Sequence, residues 1–284
     1  MDDIFEDYLR SHLPKVESFH PHYESALGDM LLAGGKRFRP ALLLSVVKAY
    51  EPLLVDSALP VALALEMFHT YSLIHDDMPA MDDAELRRGH KTLHVRYDET
   101  TAVLAGDALN TDAFLLIAQA PLRADVRIKL VELLALNGGS QGMVLGQALD
   151  CYFENKPLAL EQIEFLHTNK TAKLIAASLM MGALIADLEK SVQEALYAFG
   201  IDLGVLFQVQ DDIIDVTQSE QEAGKTTNND EDKNSFVKLL GLDESIRYAD
   251  ALADDLSSRF ERFDAPLKEA LGTLVKSYLY RHKN

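Results

Sequence analysis

Cysteine and basic residues are both scarce in this sequence, and each scarcity excludes a class of protein. The single cysteine, Cys151, excludes an internal disulfide and any zinc site built from several cysteines, and it is compatible with a reducing cytoplasm. The 27 Lys and Arg residues are outnumbered by 45 Asp and Glu residues, which gives a net charge of −18. A charge of this sign argues against nucleic-acid binding, so any anionic substrate needs a local cluster of cations or a metal ion.

Long hydrophobic runs and the features of an N-terminal leader are also missing. The longest apolar run, 174–186, has 13 residues, which is fewer than the roughly 20 that a membrane-spanning helix needs. The first residues, 1–7, are acidic, unlike those of a secretory or transit peptide. We therefore expect a cytoplasmic protein without a membrane span.

Apolar residues recur with helical spacing almost throughout the chain, and no sustained alternation of the kind typical of strands is found. The segments 57–77 and 192–217 predict long helices that are apolar on most faces and therefore central in the fold. Farther along, Asp243 is predicted to be the N-cap of an amphipathic helix whose apolar stripe runs over 246–263. With 284 residues, 48% of them hydrophobic, the sequence predicts one all-α domain spanning 1–284.

Two clusters of aspartates, at 76–83 and 211–215, lie at the ends of the two long predicted helices. Several carboxylates within a turn or two repel one another unless a cation lies between them. Mg²⁺ favours one or two protein carboxylates together with phosphate oxygens of a substrate. With lysines and arginines nearby, the two clusters indicate a pocket that binds and ionises a diphosphate ester.

The first cluster needs a break in the helix if its carboxylates are to meet. Asp76 and Asp82 are six residues apart, which places them about 120° apart on an unbroken helix. Pro79 lacks an N–H, so we expect a kink or bulge that brings Asp82 round to face Asp76. A calcium-binding loop is excluded, because Met81 and Arg87 occupy the positions where such a loop needs glycine and glutamate.

The second cluster has a simpler geometry. Asp211 and Asp215 are four residues apart and lie about 40° from each other around a helix, with Gln208 on the same face. The flanking segments 203–207 and 213–214 are apolar, which argues against a solvated acidic surface.

Two basic runs supply the opposite charge. In 34–40, a glycine pair and three cations precede Pro40, a suitable first helical residue, so free N–H groups together with Lys36 and Arg39 predict an anion site. The run 85–91 adds two adjacent arginines, which suit bidentate contact with phosphate. A P-loop is excluded, because neither Gly-Lys pair follows another glycine at the required spacing.

Together these motifs resemble those of the trans-isoprenyl diphosphate synthase family, over nearly the whole chain. The matching segments are Gly34-Gly35-Lys36-x-x-Arg39-Pro40, Ser72 to Asp83, Leu86 to Gly89, Leu104 to Leu109, Gly146 to Asp150, Lys170-Thr171 and Phe207 to Asp215. The resemblance implies an all-α bundle around a deep central cavity, with the aspartate motifs on opposing walls, and a homodimer.

The resemblance also assigns roles to individual positions. The implied Mg²⁺ ligands are Asp76, Asp77, Asp82, Asp211 and Asp215. The implied catalytic residues on the allylic diphosphate side are Arg87, Lys170, Lys225 and Lys233, with Thr171 and Gln208 stabilising the cation and orienting that substrate. The implied contacts with isopentenyl diphosphate are Lys36, Arg39, His69 and Arg88. Without the family pattern, His69 fits a satisfied core histidine better than a ligand.

The implied reaction is the Mg²⁺-dependent head-to-tail condensation of isopentenyl diphosphate with dimethylallyl and geranyl diphosphate, giving farnesyl diphosphate and diphosphate. Tyr71, five residues before Asp76, is expected to form the cavity floor and limit the product to C15. A geranylgeranyl diphosphate synthase, which differs mainly at this floor, remains an alternative, as does a non-catalytic prenyltransferase subunit. A terpene cyclase is disfavoured, because its second metal motif is typically of another composition. The polar segment 218–234 is expected to be a loop that orders over the diphosphate.

Overall fold

The computed structural model describes residues 2–217 and 233–283. Helices form most of this part of the chain, as the periodicity predicts. Their bounds are α1 Asp2–Ser11, α2 Tyr23–Leu32, α3 Phe38–Tyr50, α4 Val55–Asp76, α5 Leu93–Arg96, α6 Glu99–Gln119, α7 Ala124–Gly138, α8 Met143–Tyr152, α9 Leu160–His167, α10 Lys173–Ile185, α11 Lys190–Thr217, α12 Phe236–Leu240, α13 Leu242–Phe260 and α14 Ala265–Leu279. Short 3-10 turns cover Pro52–Leu54 and Arg281–Lys283, and a π-helical turn covers Thr168–Ala172.

The strand content of the described residues is one short hairpin. Strand β1, Leu86–Arg87, pairs antiparallel with β2, His90–Lys91. Arg88 and Gly89 connect the strands with φ of 54° and 78°, the left-handed pair that a tight hairpin turn requires. The all-α prediction is confirmed.

Helices α3 and α10 separate two hydrophobic core clusters. Leu43 and Val47 of α3 belong to the cluster that includes residues of α4, α6 and α7, whereas Leu42 and Val46, about 100° away around the helix, belong to the cluster that includes residues of α11, α13 and α14. A helix buried on both sides must be apolar on most faces.

Helix α11 approaches α10 and the π-helical turn closely, because glycines lie at the crossing. A Cβ on Gly204 would lie 2.4 Å from the Cα of Ala172, and one on Gly200 would lie 2.5 Å from the Cα of Ala176. Both distances are too short for any side chain. The glycines therefore place the second aspartate cluster, at the end of α11, directly against the turn that carries Lys170.

The long helices predicted at 57–77 and 192–217 correspond to α4 and α11. The predicted N-cap Asp243 is wrong: the N-cap is Gly241, two residues earlier, whose φ of 81° suits glycine, and α13 begins at Leu242. Asp243 instead lies in the first turn, where its charge complements the helix dipole. The predicted stripe also runs too far, since α13 ends at Phe260. Pro40 is the third residue of α3 and not the first, but it still lies in the first turn, where no intrahelical partner is lost.

Three helical segments of the described chain, Pro52–Asp76, Glu99–Gln119 and Lys190–Thr217, are long and apolar enough to cross a membrane by length and composition. The share of the most apolar window that is buried inside the fold is 61%, 39% and 44%, respectively. The expectation of no membrane span stays a prediction.

Candidate active site

The first aspartate cluster forms a compact turn at the end of α4. The helix stops at Asp76, and Asp82 donates its backbone N–H to the Asp76 carbonyl oxygen at 2.8 Å. The N–H of Ala84 reaches the Asp77 carbonyl oxygen at 3.1 Å. The chain reverses through Pro79, so the predicted bulge is present and brings Asp82 back against Asp76.

Cations are already paired with these carboxylates. Arg87, on β1, donates from Nε to Oδ1 of Asp77 at 2.8 Å and from Nη2 to the same oxygen. Lys233 donates to Oδ1 of Asp82 at 2.6 Å, across 151 residues of sequence. The tertiary structure thus gathers three of the predicted functional segments into one charged cluster.

A second pairing extends this cluster to α8. Nζ of Lys170 lies 2.6 Å from Oδ2 of Asp150, and Nζ of Lys233 lies 3.8 Å from the same oxygen. Burial raises the pKa of Asp150, but Lys170 and Lys233 lower it by more, so it lies below its usual range. Asp150 is therefore an anion that orients both lysines.

These groups line a polar cavity of about 280 Å³. The predicted site residues on its wall are Asp82, Arg87, Lys170, Gln208, Asp215 and Lys233. Both aspartate clusters reach this cavity, since Asp82 comes from the first and Asp215 from the second.

An apolar cavity of about 460 Å³ adjoins the polar one, and the two share Met81 and Lys170 as wall residues. The predicted site residues on its wall are Arg39, His69, Tyr71, Asp76, Lys170 and Thr171. Thr171 donates to Oε1 of Gln208 at 3.3 Å, linking residues of the two cavities. The pair of cavities therefore combines a charged compartment with a hydrocarbon-compatible one.

The carboxylates of the first cluster suit a bound cation. Burial, together with the nearby Asp82, raises the pKa of Asp76 to about 6. The Oδ2 atom of Asp77 is buried and has no hydrogen-bond partner among the described residues. Within the described ranges, no three His, Cys, Asp or Glu side chains lie close enough to bind one metal ion together. This donor set fits Mg²⁺, which completes its coordination with phosphate oxygens and water when few carboxylates are available.

The π-helical turn Thr168–Ala172 presents Lys170 and Thr171 to the cavities. Turns of this kind are rare and widen the helix locally, often at functional sites. Gly146 of α8 lies against this turn, because a Cβ there would come within 2.2 Å of the Lys170 backbone nitrogen. Gly146 thus sets the position of Lys170.

A group of arginines surrounds His69 on the other wall. Burial lowers the pKa of His69 well below its usual value, and Arg39 and Arg88 lower it further, so its ring is neutral at pH 7. Burial also lowers the pKa of Arg39 to about 10, and its Nε has no hydrogen-bond partner among the described residues. Arg88 donates to the Gly34 carbonyl oxygen. The group offers an anion several N–H donors.

Tyr71 closes part of the apolar cavity. Its side chain is 6% exposed and packs edge-to-face against Phe68, with ring centroids 4.8 Å apart. The predicted floor residue therefore lies on the cavity wall, backed by a second aromatic ring.

Four predicted residues of the described chain line neither of these cavities, namely Lys36, Asp77, Arg88 and Asp211. Asp211 accepts a hydrogen bond from Nη2 of Arg281 at 2.6 Å. Lys36 lies beside this pair, with Nζ 5.7 Å from the centre of the Tyr278 ring, and burial and the charge of Arg281 lower its pKa. Another predicted residue, Lys225, lies outside the described residues.

Several wall residues of the polar cavity had no predicted role, among them Asp150, Asp212 and His167. Asp150 belongs to a matching motif and Asp212 to the second aspartate cluster, so both could have been found by assigning every acid in those motifs. His167, which is 5% exposed, gave no signal beyond its position three residues before Lys170. Its proximity to the lysines depends on the π-helical turn.

Comparison with known proteins places this geometry among enzymes of one type. The family model described as polyprenyl synthetase matches residues 20–270. The chain is 41% identical over 284 residues to a farnesyl diphosphate synthase of Micrococcus luteus, covering 99% of this chain and 95% of that protein. It is 38% identical over 270 residues to that of Haemophilus influenzae, covering 92% and 90% of the two chains. The fold matches a crystal structure of a geranyltransferase from Helicobacter pylori complexed with magnesium and isoprenyl diphosphate, with a TM-score of 0.93 and 49% identity over 97% of this chain and 94% of that chain.

Proposed function

This chain belongs to the polyprenyl synthetase family, and we propose that it condenses isopentenyl diphosphate head-to-tail with dimethylallyl and then geranyl diphosphate, giving (2E,6E)-farnesyl diphosphate and diphosphate. The observation that carries this proposal is the contact between the polar and apolar cavities at Lys170 and Met81. An allylic diphosphate has the same two parts, a charged head and a hydrocarbon tail, joined at the bond that breaks.

The allylic diphosphate binds in the polar cavity. Arg87, Lys170 and Lys233 donate hydrogen bonds to it, and Lys225 is assigned to the same group from the sequence. Charge-assisted bonds of this kind stabilise the negative charge that builds on the leaving diphosphate as the C–O bond ionises. When bound by the aspartates of the two clusters, Mg²⁺ supplies further positive charge to the same oxygens.

The allylic cation forms where the two cavities meet. Thr171 and Gln208 are hydrogen-bonded to each other there, and their oxygens present partial negative charge to the cation. The apolar walls keep water from quenching it. The alkene of isopentenyl diphosphate attacks the cation, and the departing diphosphate accepts the proton that is lost.

Isopentenyl diphosphate binds on the arginine-rich wall. Arg39 and Arg88 supply charge, the neutral ring of His69 supplies an N–H, and Lys36 reaches the substrate from the adjoining loop. Tyr71 stops the growing tail in the apolar cavity and so sets the C15 product.

We also propose a cytoplasmic homodimer. Large apolar side chains are exposed on two adjacent helices, namely Leu104 and Leu115 on α6 and Ile128 and Leu136 on α7. A second copy would cover them. A monomer mass in light scattering, or recovery of the protein in a carbonate-washed membrane fraction, would contradict this assignment.

The test is an incubation of the purified protein with isopentenyl diphosphate, geranyl diphosphate and Mg²⁺, followed by analysis of the prenyl chain length. We expect a C15 product that disappears when EDTA removes the metal. Products of C20 or longer would support the condensation reaction but favour a geranylgeranyl diphosphate synthase. The absence of Mg²⁺-dependent condensation would overturn the proposal and favour a non-catalytic subunit.

A further inference from the structure

Arg37 lies between two predicted substrate ligands but is itself buried. Its side chain reaches three different parts of the fold: Nε donates to Oε1 of Glu6 on α1, Nη1 to Oε1 of Glu66 on α4, and Nη2 to the Leu31 carbonyl oxygen, each at 2.6 Å. Arg37 is 5% exposed and Glu66 is 2% exposed. A side chain with every one of its contacts inside the protein does not bind substrate.

The backbone of Arg37 is held in an unfavourable conformation. Its φ of 44° lies in the left-handed region that favours glycine, and it directly precedes α3. Such strain persists where surrounding contacts fix it, and it is concentrated at functional sites. The three hydrogen bonds of the guanidinium therefore fix the path of the chain between Lys36 and Arg39.

Glu66 also faces the predicted ligands. Its Oε1 lies 3.9 Å from Nη1 of Arg88, and the same Nη1 donates to the Gly34 carbonyl oxygen. A Cβ on Gly35 would lie 2.7 Å from the Arg88 guanidinium carbon, so this side chain rests directly on the glycine pair. Glu66 thus lies between the loop that carries Arg37 and the side chain of Arg88.

The positive charges of the arginine-rich wall around His69 require a buried carboxylate such as Glu66. Arg37, Arg39, Arg87 and Arg88 all act electrostatically on His69, which lies three residues after Glu66 on α4. Glu66 is the anion that acts on Arg37, Arg39 and Arg88 together. Like-charged groups this close repel unless a buried anion offsets them or a bound anion arrives.

We propose that Glu66 and Arg37 are positioning residues for the isopentenyl diphosphate site: the buried pair holds Arg39 and Arg88 at the geometry that the diphosphate requires, without touching the substrate. This inference rests on the proposed function. The allylic diphosphate binds to other residues, Arg87, Lys170 and Lys233. Loss of the pair should therefore weaken the binding of isopentenyl diphosphate and leave the binding of the allylic diphosphate unchanged.

The experiment is steady-state kinetics of Glu66→Gln with each substrate varied in turn. We expect KM for isopentenyl diphosphate to rise by about five-fold or more, with KM for geranyl diphosphate within about two-fold of wild type. The double variant Glu66→Gln with Arg37→Met removes both charges of the buried pair, and Glu6, which also loses its bond to Arg37, is partly exposed to solvent. In this variant the melting temperature should recover while KM for isopentenyl diphosphate stays high, because Arg88 still lacks its anion.

The matched control is Asp202→Asn, which removes a carboxylate bonded to Arg259 between α11 and α13. It should lower the stability of the protein and leave the ratio of the KM values for the two substrates unchanged. If Glu66→Gln does not fold, Gly35→Ala tests the same arrangement, since its Cβ displaces Arg88, and KM for isopentenyl diphosphate should rise selectively. Equal changes in both KM values, or full recovery of both in the double variant, would overturn the inference. An inactive wild-type protein would instead count against the proposed function.

Discussion

The backbone N–H of Asp82 donates to the carbonyl oxygen of Asp76 at 2.8 Å. This bond closes the turn at the end of α4 and brings two carboxylates that are six residues apart to one place. Asp82 is in turn one of the groups that raise the pKa of Asp76. Two anions held this close by a fixed backbone favour the binding of a divalent cation.

Replacing Asp76 with Asn should reduce kcat by about 10²- to 10³-fold, the loss that follows removal of one group that stabilises developing charge. The measurement is release of diphosphate from geranyl diphosphate and isopentenyl diphosphate at saturating Mg²⁺. The control is Asp83→Asn, since Asp83 is exposed and lines neither cavity of the site. Equal effects of the two variants on kcat would show that Asp76 has no specific role in catalysis.

Replacing Tyr71 with Ala should shift the main product from C15 to C20 or longer, because the ring that closes the apolar cavity is lost. Chromatography of the dephosphorylated products measures the chain length. Tyr71→Phe is the control and should keep the C15 product, since the ring forms the barrier and not the hydroxyl. An unchanged product from Tyr71→Ala would show that another residue sets the cavity depth.

Replacing Gly146 with Ala should both destabilise the protein by about 1–3 kcal/mol and lower activity, because the added methyl collides with the backbone of Lys170. Gly272→Ala provides the matched control: it lies in α14 with no atom near its Cβ position. That change should stabilise the protein by about 0.5–1 kcal/mol without altering kcat. Urea unfolding and steady-state rates measure the two effects. Normal activity in Gly146→Ala would show that the π-helical turn tolerates displacement.

His167 should make stability depend on pH. Burial lowers its pKa to about 4 in the folded protein, against about 6.5 in the unfolded chain. Between these values the unfolded state binds the extra proton, so stability is full above about pH 6.5 and falls as the pH decreases toward 4. The loss attributable to this group between pH 7.5 and 5 is about 2 kcal/mol.

Urea unfolding of His167→Gln at the two pH values tests this, because the variant should lose less stability on acidification than the wild type. His90→Gln, on the exposed hairpin strand β2, is the control and should retain the wild-type dependence. Identical pH dependence in all three proteins would contradict a buried neutral His167.

Sequence patterns alone predict the helical class, the two central helices and the turn at Pro79. These follow from local spacing, because apolar periodicity and the missing proline N–H act over a few residues. The predicted start of α13 was wrong, because the helix begins after Gly241, whose φ of 81° suits glycine, and not after the capping residue Asp243.

The pairing of the charged side chains follows from the fold and not from local sequence. The pairs Arg37–Glu66, Lys233–Asp82 and Arg281–Asp211 join residues 29, 151 and 70 positions apart. No local pattern encodes such partners, since each depends on how packed helices bring distant side chains together. For the same reason the sequence marked Lys36 and Arg39 as ligands but gave no sign that Arg37, between them, is buried inside the wall.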